Sequence, residues 1–316
     1  MATILTAANA YRENERISAK RVIFTSFLVD ILDILLNLIV AVVSGSIVMA
    51  AEVLEGVADL TSSGFLLVGY YRSGRLEDKS HPFGYGRELY FWTLLAALVM
   101  FGITATFSIY LGWLRFLEPR MLTNLNAAFF VLTLTLGTNG YAFWLSFRRL
   151  KGKRGVSDIV KIFLRSSLIE TKTTFILDLM GSSASFLGLV FLVAYQITGD
   201  KRFDGLGAIF IGLVLGIFSY FLILGIRDLL IGKSAPEEVE ALIRRAALSI
   251  PEVKNVSDLK TLHIGSGKLF VNLDVRLQNN LTTREIEKLI DKIKDSIKEK
   301  VPTANHIQIE LETARA

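Results

Sequence analysis

Glu52-Val53-Leu54-Glu55-Gly56-Val57-Ala58-Asp59 decides how this chain is read. Its three carboxylates stand at i, i+3 and i+7, a spacing that sets them along one face of a helix. The surrounding segment, Ser46 to Tyr70, is otherwise almost entirely apolar and long enough to cross a bilayer. Ionisable groups at membrane depth are costly and by default mark a functional site. A divalent cation is what this stripe is suited to hold. The bland alternative is a polar helix–helix contact built from protonated acids.

Working outward, the 316 residues are 52% hydrophobic. Their apolar runs fall at 22–43, 46–70, 89–113, 126–147, 174–196 and 206–226, each near the length needed to span. The expected architecture is therefore an all-α membrane domain of six transmembrane helices. The first run begins after Arg21, behind an amphipathic charged lead-in, and is followed by the others, so it reads as a membrane helix and not as a cleaved signal. No cysteine is present, which excludes disulfides and thiolate metal ligands. The net charge of +5 points to no nucleic acid, because the basic residues collect in alternate loops. Arg12, Arg16, Lys20 and Arg21 precede the first run, Arg72, Arg75, Lys79 and Arg87 follow the second, and a basic group from Arg148 to Lys172 follows the fourth. The opposite loops carry only Arg115, Arg120, Lys201 and Arg202. Positive charge stays inside, so both termini are expected in the cytoplasm.

The first run carries Asp30, Asp33 and Asn37, again at i, i+3 and i+7. Ser44-Gly45-Ser46 leaves room only for a tight hairpin, which would turn the polar stripes of the first two helices toward each other. Those residues are candidates for an ion or proton path, with a packing role equally open. Pro82, Gly84 and Gly86 break any helix in His81-Pro82-Phe83-Gly84-Tyr85-Gly86. His81 there reads as a structural hydrogen-bonding residue before a metal ligand. Thr138, Asn139 and Tyr141 read as interhelical hydrogen-bonding groups, and residues 159–168 as a helix lying at the headgroups. The fifth run places Glu170, Thr174 and Asp178 near one face, followed by small residues from Gly181 to Ala184 that permit close helix approach.

Past Gly232 and Pro236 the pattern changes. Glu237 to Leu248 is amphipathic, strands are expected near Val256–His263 and Lys268–Leu277, and Thr282–Glu299 is a helix opened by the capping box Thr282-Thr283-Arg284-Glu285. His306–Leu311 is a last strand. The order α-β-β-α-β makes a small α+β cytoplasmic domain, helices on one face of an antiparallel sheet. Residues 1–232 and 233–316 are thus two domains.

Glu55 and Asp59, at i and i+4, can chelate one ion from one helix. Asp178 would add a third carboxylate and Thr174 a neutral oxygen. An all-oxygen set suits Mn²⁺, Mg²⁺ or Fe²⁺, and Zn²⁺ is also bound by carboxylates. Carboxylates exchange metal for protons, which couples the two fluxes. No nucleophile–base constellation or phosphate loop suggests an enzyme; Gly84-Tyr85-Gly86 is a lone turn.

The same residues resemble the cation diffusion facilitator family. The likeness runs from about Ala19 to Glu312 and is most specific in Ser44–Asp59, His81–Trp92 and Leu229–Gly232. It implies a homodimeric secondary active transporter in the plasma membrane that exports a divalent cation (Mn²⁺, Fe²⁺ or Zn²⁺) against protons, with no organic cofactor. It also implies a ferredoxin-like dimerisation domain at the C-terminus. Glu55 and Asp59 fall on the family's second-span pair, and Thr174 and Asp178 on the fifth-span pair; a shift of one turn puts Asp178 and Ser182 there instead. Glu55 stands where zinc-selective members have histidine, and Glu52 lies a turn away, as an outer or access residue. His263 and His306 are the candidates for a cytoplasmic metal site. The competing reading is a non-transporting membrane scaffold or metal sensor.

Overall fold

A computed structural model describes residues 30–151 and 169–312. The lead-in before residue 22, the start of the first apolar run and the surface helix expected at 159–168 lie outside the described residues. So does the side chain of Glu170.

Helix α1 occupies residues 30–44. It stops where the Ser44 hydroxyl bonds back to the Val40 carbonyl at 2.6 Å. Gly45, at φ +67°, turns the chain directly into α2 (Ile47–Ser73). Only a residue without a Cβ adopts that conformation freely, so the expected tight hairpin is present. Helix α3 runs Glu88–Leu117 with a π-helical turn at Met100–Ala105. Then follow α4 (Leu125–Lys151), α5 (Ile169–Thr198) and α6 (Arg202–Ile231). Among the described residues, four helices are long and apolar enough to cross a membrane: those of α3, α4, α5 and α6. The 27-residue α2 is long enough but carries three acids, and α1 is described only from residue 30. The six-span expectation thus meets four helices that satisfy length and apolarity.

Two compact units emerge. The first gathers the described residues up to Phe65 with Leu95–Arg148 and Phe175–Phe221. Its helices meet through small residues. A Cβ added at Gly205 of α6 would lie 2.6 Å from the Gly112 carbonyl oxygen and 2.6 Å from the Phe116 nitrogen of α3. Backbone therefore touches backbone. At the start of α2, the fully buried Asp204 of α6 accepts from Ser46 Oγ at 2.6 Å and from the amides of Ile47 and Val48 at 3.0 and 3.2 Å. Its other partner is the Arg115 guanidinium at 3.5 Å, which also donates to the Gly45 carbonyl. The negative end-group that an α-helix N-terminus calls for is thus supplied by another helix.

The second unit holds Leu66–Leu94, the described residues of Arg149–Thr174, and Leu222 onward. Helix α7 (Glu237–Leu248) precedes β1 (Val253–Gly265), β2 (Lys268–Leu277), α8 (Thr283–Lys300) and β3 (Ala304–Leu311). The predicted capping box is present, with Thr282 Oγ1 accepting from the Glu285 amide and Glu285 accepting from the Thr282 amide. One sequence expectation needs correction. The sheet has the order β1-β2-β3, and β3 pairs with β2 in parallel, not antiparallel. The cause is the connection: a two-residue turn at Ser266-Gly267 reverses the chain, whereas the α8 crossover returns it in the same direction. Val271, Leu273 and Val275 of β2 face Ile243 and Ala247 of α7 and Ile293 and Ile297 of α8, all in one buried cluster.

The loop between α2 and α3 packs on this sheet. The Phe83 ring stands edge-on to Phe270 and His306 at 5.6 and 5.3 Å. A Cβ at Gly86 would fall 2.6 Å from the Ile264 carbonyl oxygen.

Candidate metal centre

The first unit sets a column of polar side chains along the facing sides of α1, α2, α4 and α5. Gly56 of α2 fixes the register, since a Cβ there would be 2.8 Å from Ile34 Cγ1 of α1. Asn37, Glu52 and Glu55 are buried, at 1%, 2% and 5% exposure, while Asp30, Asp33, Asp59 and Asp178 are half-buried. At one end of the column Ser185 Oγ lies 2.9 Å from Glu52 Oε2. On α1, Asp33 accepts from Thr135 Oγ1 at 2.8 Å and from Asn37 Nδ2 at 3.0 Å. Further along, Glu55 and Asn139 close over Gly181, whose absent Cβ would sit 3.0 Å from Glu55 Oε1 and 2.9 Å from Asn139 Nδ2. At the other end Asp178 accepts from the Ser146 hydroxyl. Asp59 lies within electrostatic reach of Asp30 and Asp178, and Glu55 within reach of Asp59 and Glu52.

Three helices thus bring six carboxylates to one column, with α4 supplying hydroxyls and an amide. Among the described residues, no three His, Asp or Glu side chains stand close enough to hold one ion without moving. Thr174 is exposed and belongs to the second unit, whereas Ser182 is half-buried, 4.0 Å from where a Gly140 Cβ would be. Sequence reasoning missed Ser185, Ser146 and Thr135. The signal for them is modest. Thr135, Asn139 and Ser146 are spaced to share one face of α4, and Ser185 follows Asp178 by two helical turns.

The histidines part company. In the ladder, His263 pairs with Leu269 and turns to the core, 6% exposed, while His306 pairs with Phe270 on the outer face. Within one chain they lie on opposite sides of the sheet and cannot share an ion. His81 is exposed and lies against the Tyr85 ring, tilted by 32° with centroids 4.1 Å apart, beside Asp78. The hydrogen bond donated by the Tyr85 hydroxyl, at 2.7 Å, holds the Asp78 carboxyl below the usual carboxylate range. The same bond pushes the Tyr85 phenol up.

Residues 23–230 match the family described as cation efflux transmembrane domain, and residues 235–314 the family described as cation efflux protein, cytoplasmic domain. The mouse mitochondrial proton-coupled zinc antiporter SLC30A9 is 26% identical over 269 residues, covering 84% of this chain and 47% of its own length. The chain spans about half the length of the SLC30A9 relatives it matches. The magnetosome protein MamB of Paramagnetospirillum magneticum is 22% identical over 96% of this chain and 97% of its own. Among solved structures, the MamM C-terminal domain in a nickel form covers 25% of this chain and 100% of its own, at 18% identity and a TM-score of 0.24.

Proposed function

The chain belongs to the cation diffusion facilitator family, an integral membrane family, and from that premise we propose that it is a secondary active transporter exchanging a divalent cation for protons. The observation that carries the reading is the convergence of Glu55, Asp59 and Asp178, with Asp30 nearby, in one helical unit. Their oxygens suit a hard divalent ion, and each carboxylate released by the ion can take a proton. Glu55 and Asp59 are the pair on α2. Asp178 turns from Ser146 toward them as the ion enters, and Thr174 or Ser182 completes the set according to register. Asp30, Asp33 and Asn37 line the ion or proton path, and Glu52 lies a turn beyond the metal-binding pair, outside the metal's own ligands.

The placement of positive charge supports both termini inside; export from the cytoplasm across the cell membrane is what membership of the family implies. Mn²⁺ or Fe²⁺ fits the all-oxygen set best; Zn²⁺ is the ion for which the SLC30A9 relatives are named. Residues 1–232 form the six-helix transport domain. Residues 233–316 pair two copies into a homodimer.

The test is metal flux into proteoliposomes, loaded in turn with Mn²⁺, Fe²⁺ and Zn²⁺. Asp59→Ala and Asp178→Ala should each abolish flux while leaving the protein folded by size-exclusion chromatography. Wild-type flux in both variants sinks the site and favours a scaffold or sensor.

A further inference from the structure

One end of the polar column holds more acceptors than donors. Asn37 spends its amide hydrogens on the Asp33 carbonyl and carboxylate, both at 3.0 Å. Its own Oδ1 is buried with no hydrogen-bond partner among the described residues, and so is Glu52 Oε1. Ser185 has a single hydroxyl proton but two acceptors in reach, Glu52 Oε2 at 2.9 Å and the Gly181 carbonyl at 3.1 Å. Asn37 Oδ1 and the two Glu52 carboxylate oxygens, on two helices, therefore have one donor between them, the Ser185 hydroxyl of a third. The two side chains with orphan oxygens are 1% and 2% exposed, and leaving such groups unsatisfied is expensive. The Gly56–Ile34 contact sets Asn37 level with the Glu52 turn of the neighbouring helix.

We propose that Glu52, with Asn37 and Ser185, is a proton-binding site separate from the carboxylates that bind the metal; this rests on the transporter reading above. A proton on Glu52 changes the inventory. The protonated carboxyl becomes a donor toward Asn37 Oδ1 or Ser185 Oγ, and Ser185 is then free to donate to the Gly181 carbonyl. No bond other than O–H forms or breaks, and the proton comes from and returns to water along the column. The ionisable groups in electrostatic reach are Asp33 on α1 and Glu55 on the same helix. Helix α5 offers Ser185 and α4 offers neutral Thr135 and Asn139. On α5, Ser185 lies two turns beyond Asp178, about 10 Å along the axis. A proton at Glu52 and a cation at Asp178 thus occupy different levels, so the site can load a proton without displacing a ligand.

Glu52→Gln supplies a permanent donor of the same shape and tests the assignment in proteoliposomes with two assays. The first is metal/metal exchange at equal pH on both sides; the second is uptake of the same ion driven by a pH gradient. The expected result is exchange within about twofold of wild type, with gradient-driven uptake reduced about tenfold or more. The pH dependence of exchange should also flatten. Loss of both activities makes Glu52 a metal ligand or a structural residue, and retention of both leaves it without a proton role; either overturns the proposal. Wild-type uptake driven by a sodium gradient at constant pH overturns it too, in favour of a monovalent cation at these oxygens. The assays use whichever of Mn²⁺, Fe²⁺ and Zn²⁺ the wild type carries, and a wild type inactive with all three removes the transporter reading itself.

Discussion

Asp78 is exposed and Tyr85 half-buried in the loop; their bond links the end of α2 to the start of α3, and its pH dependence has a definite sign. The depressed pKa of Asp78 means that the folded loop favours the carboxylate. Its contribution is therefore complete above the ordinary carboxylate pKa of about 4 and fades as pH falls through the lower folded value. Tyr85→Phe should move the Asp78 carboxyl titration, followed by NMR, up toward the ordinary value; an unmoved midpoint would assign the shift to the His81 and Ser80 amides. Single residues also show what sequence spacing reveals. Glu55, Asp59 and Asp178 stand out because acids in apolar runs are rare and helical spacing does the rest. Ser146 and Ser185, which accompany them, do not stand out, since a serine inside a membrane helix is cheap and common. Asp204 escaped for another reason: its partners are 156 to 158 residues away in the chain, beyond any local pattern.

At the level of elements, the α3–α6 pair depends on the absence of side chains. Gly205 faces backbone atoms that cannot rotate away, whereas Gly137 on α4 has nothing within 4 Å of where a Cβ would be. Gly205→Ala should destabilise the protein by about 1–3 kcal/mol, and Gly137→Ala should fall within about 1 kcal/mol of wild type. Thermal unfolding in detergent compares the two, and equal midpoints would remove the close packing as a stabilising contact. The helices themselves were legible from apolar length, and α7 and α8 from amphipathic spacing and the Thr282–Glu285 box. The parallel pairing of β3 was not. Alternation of buried and exposed residues tells which face a strand buries, but both directions of pairing satisfy it. The π-turn in α3 was equally silent, because Met100–Ala105 differs little in composition from its flanks.

For the molecule as a whole, the Phe83–Gly86 loop joins the sheet to the segment between α2 and α3. Gly86→Ala should push the loop off the Ile264 carbonyl, seen as faster hydrogen exchange over residues 74–87 with the core of β2 unchanged. Exchange at the wild-type rate would mean that Phe83 alone holds the contact. This joint was legible only as a helix-breaking motif; what it touches is set by tertiary packing. The Asp204 cap has a consequence of a different kind, for biogenesis. The N-terminus of α2 leaves the ribosome 158 residues ahead of the carboxylate that will satisfy it. At ordinary elongation rates that is an interval of about 8–30 s. During it, Ser46 and the amides of Ile47 and Val48 must be hydrated at the membrane surface or served by a temporary partner. The first hairpin is therefore an unfinished insertion intermediate, completed only when the last membrane helix arrives.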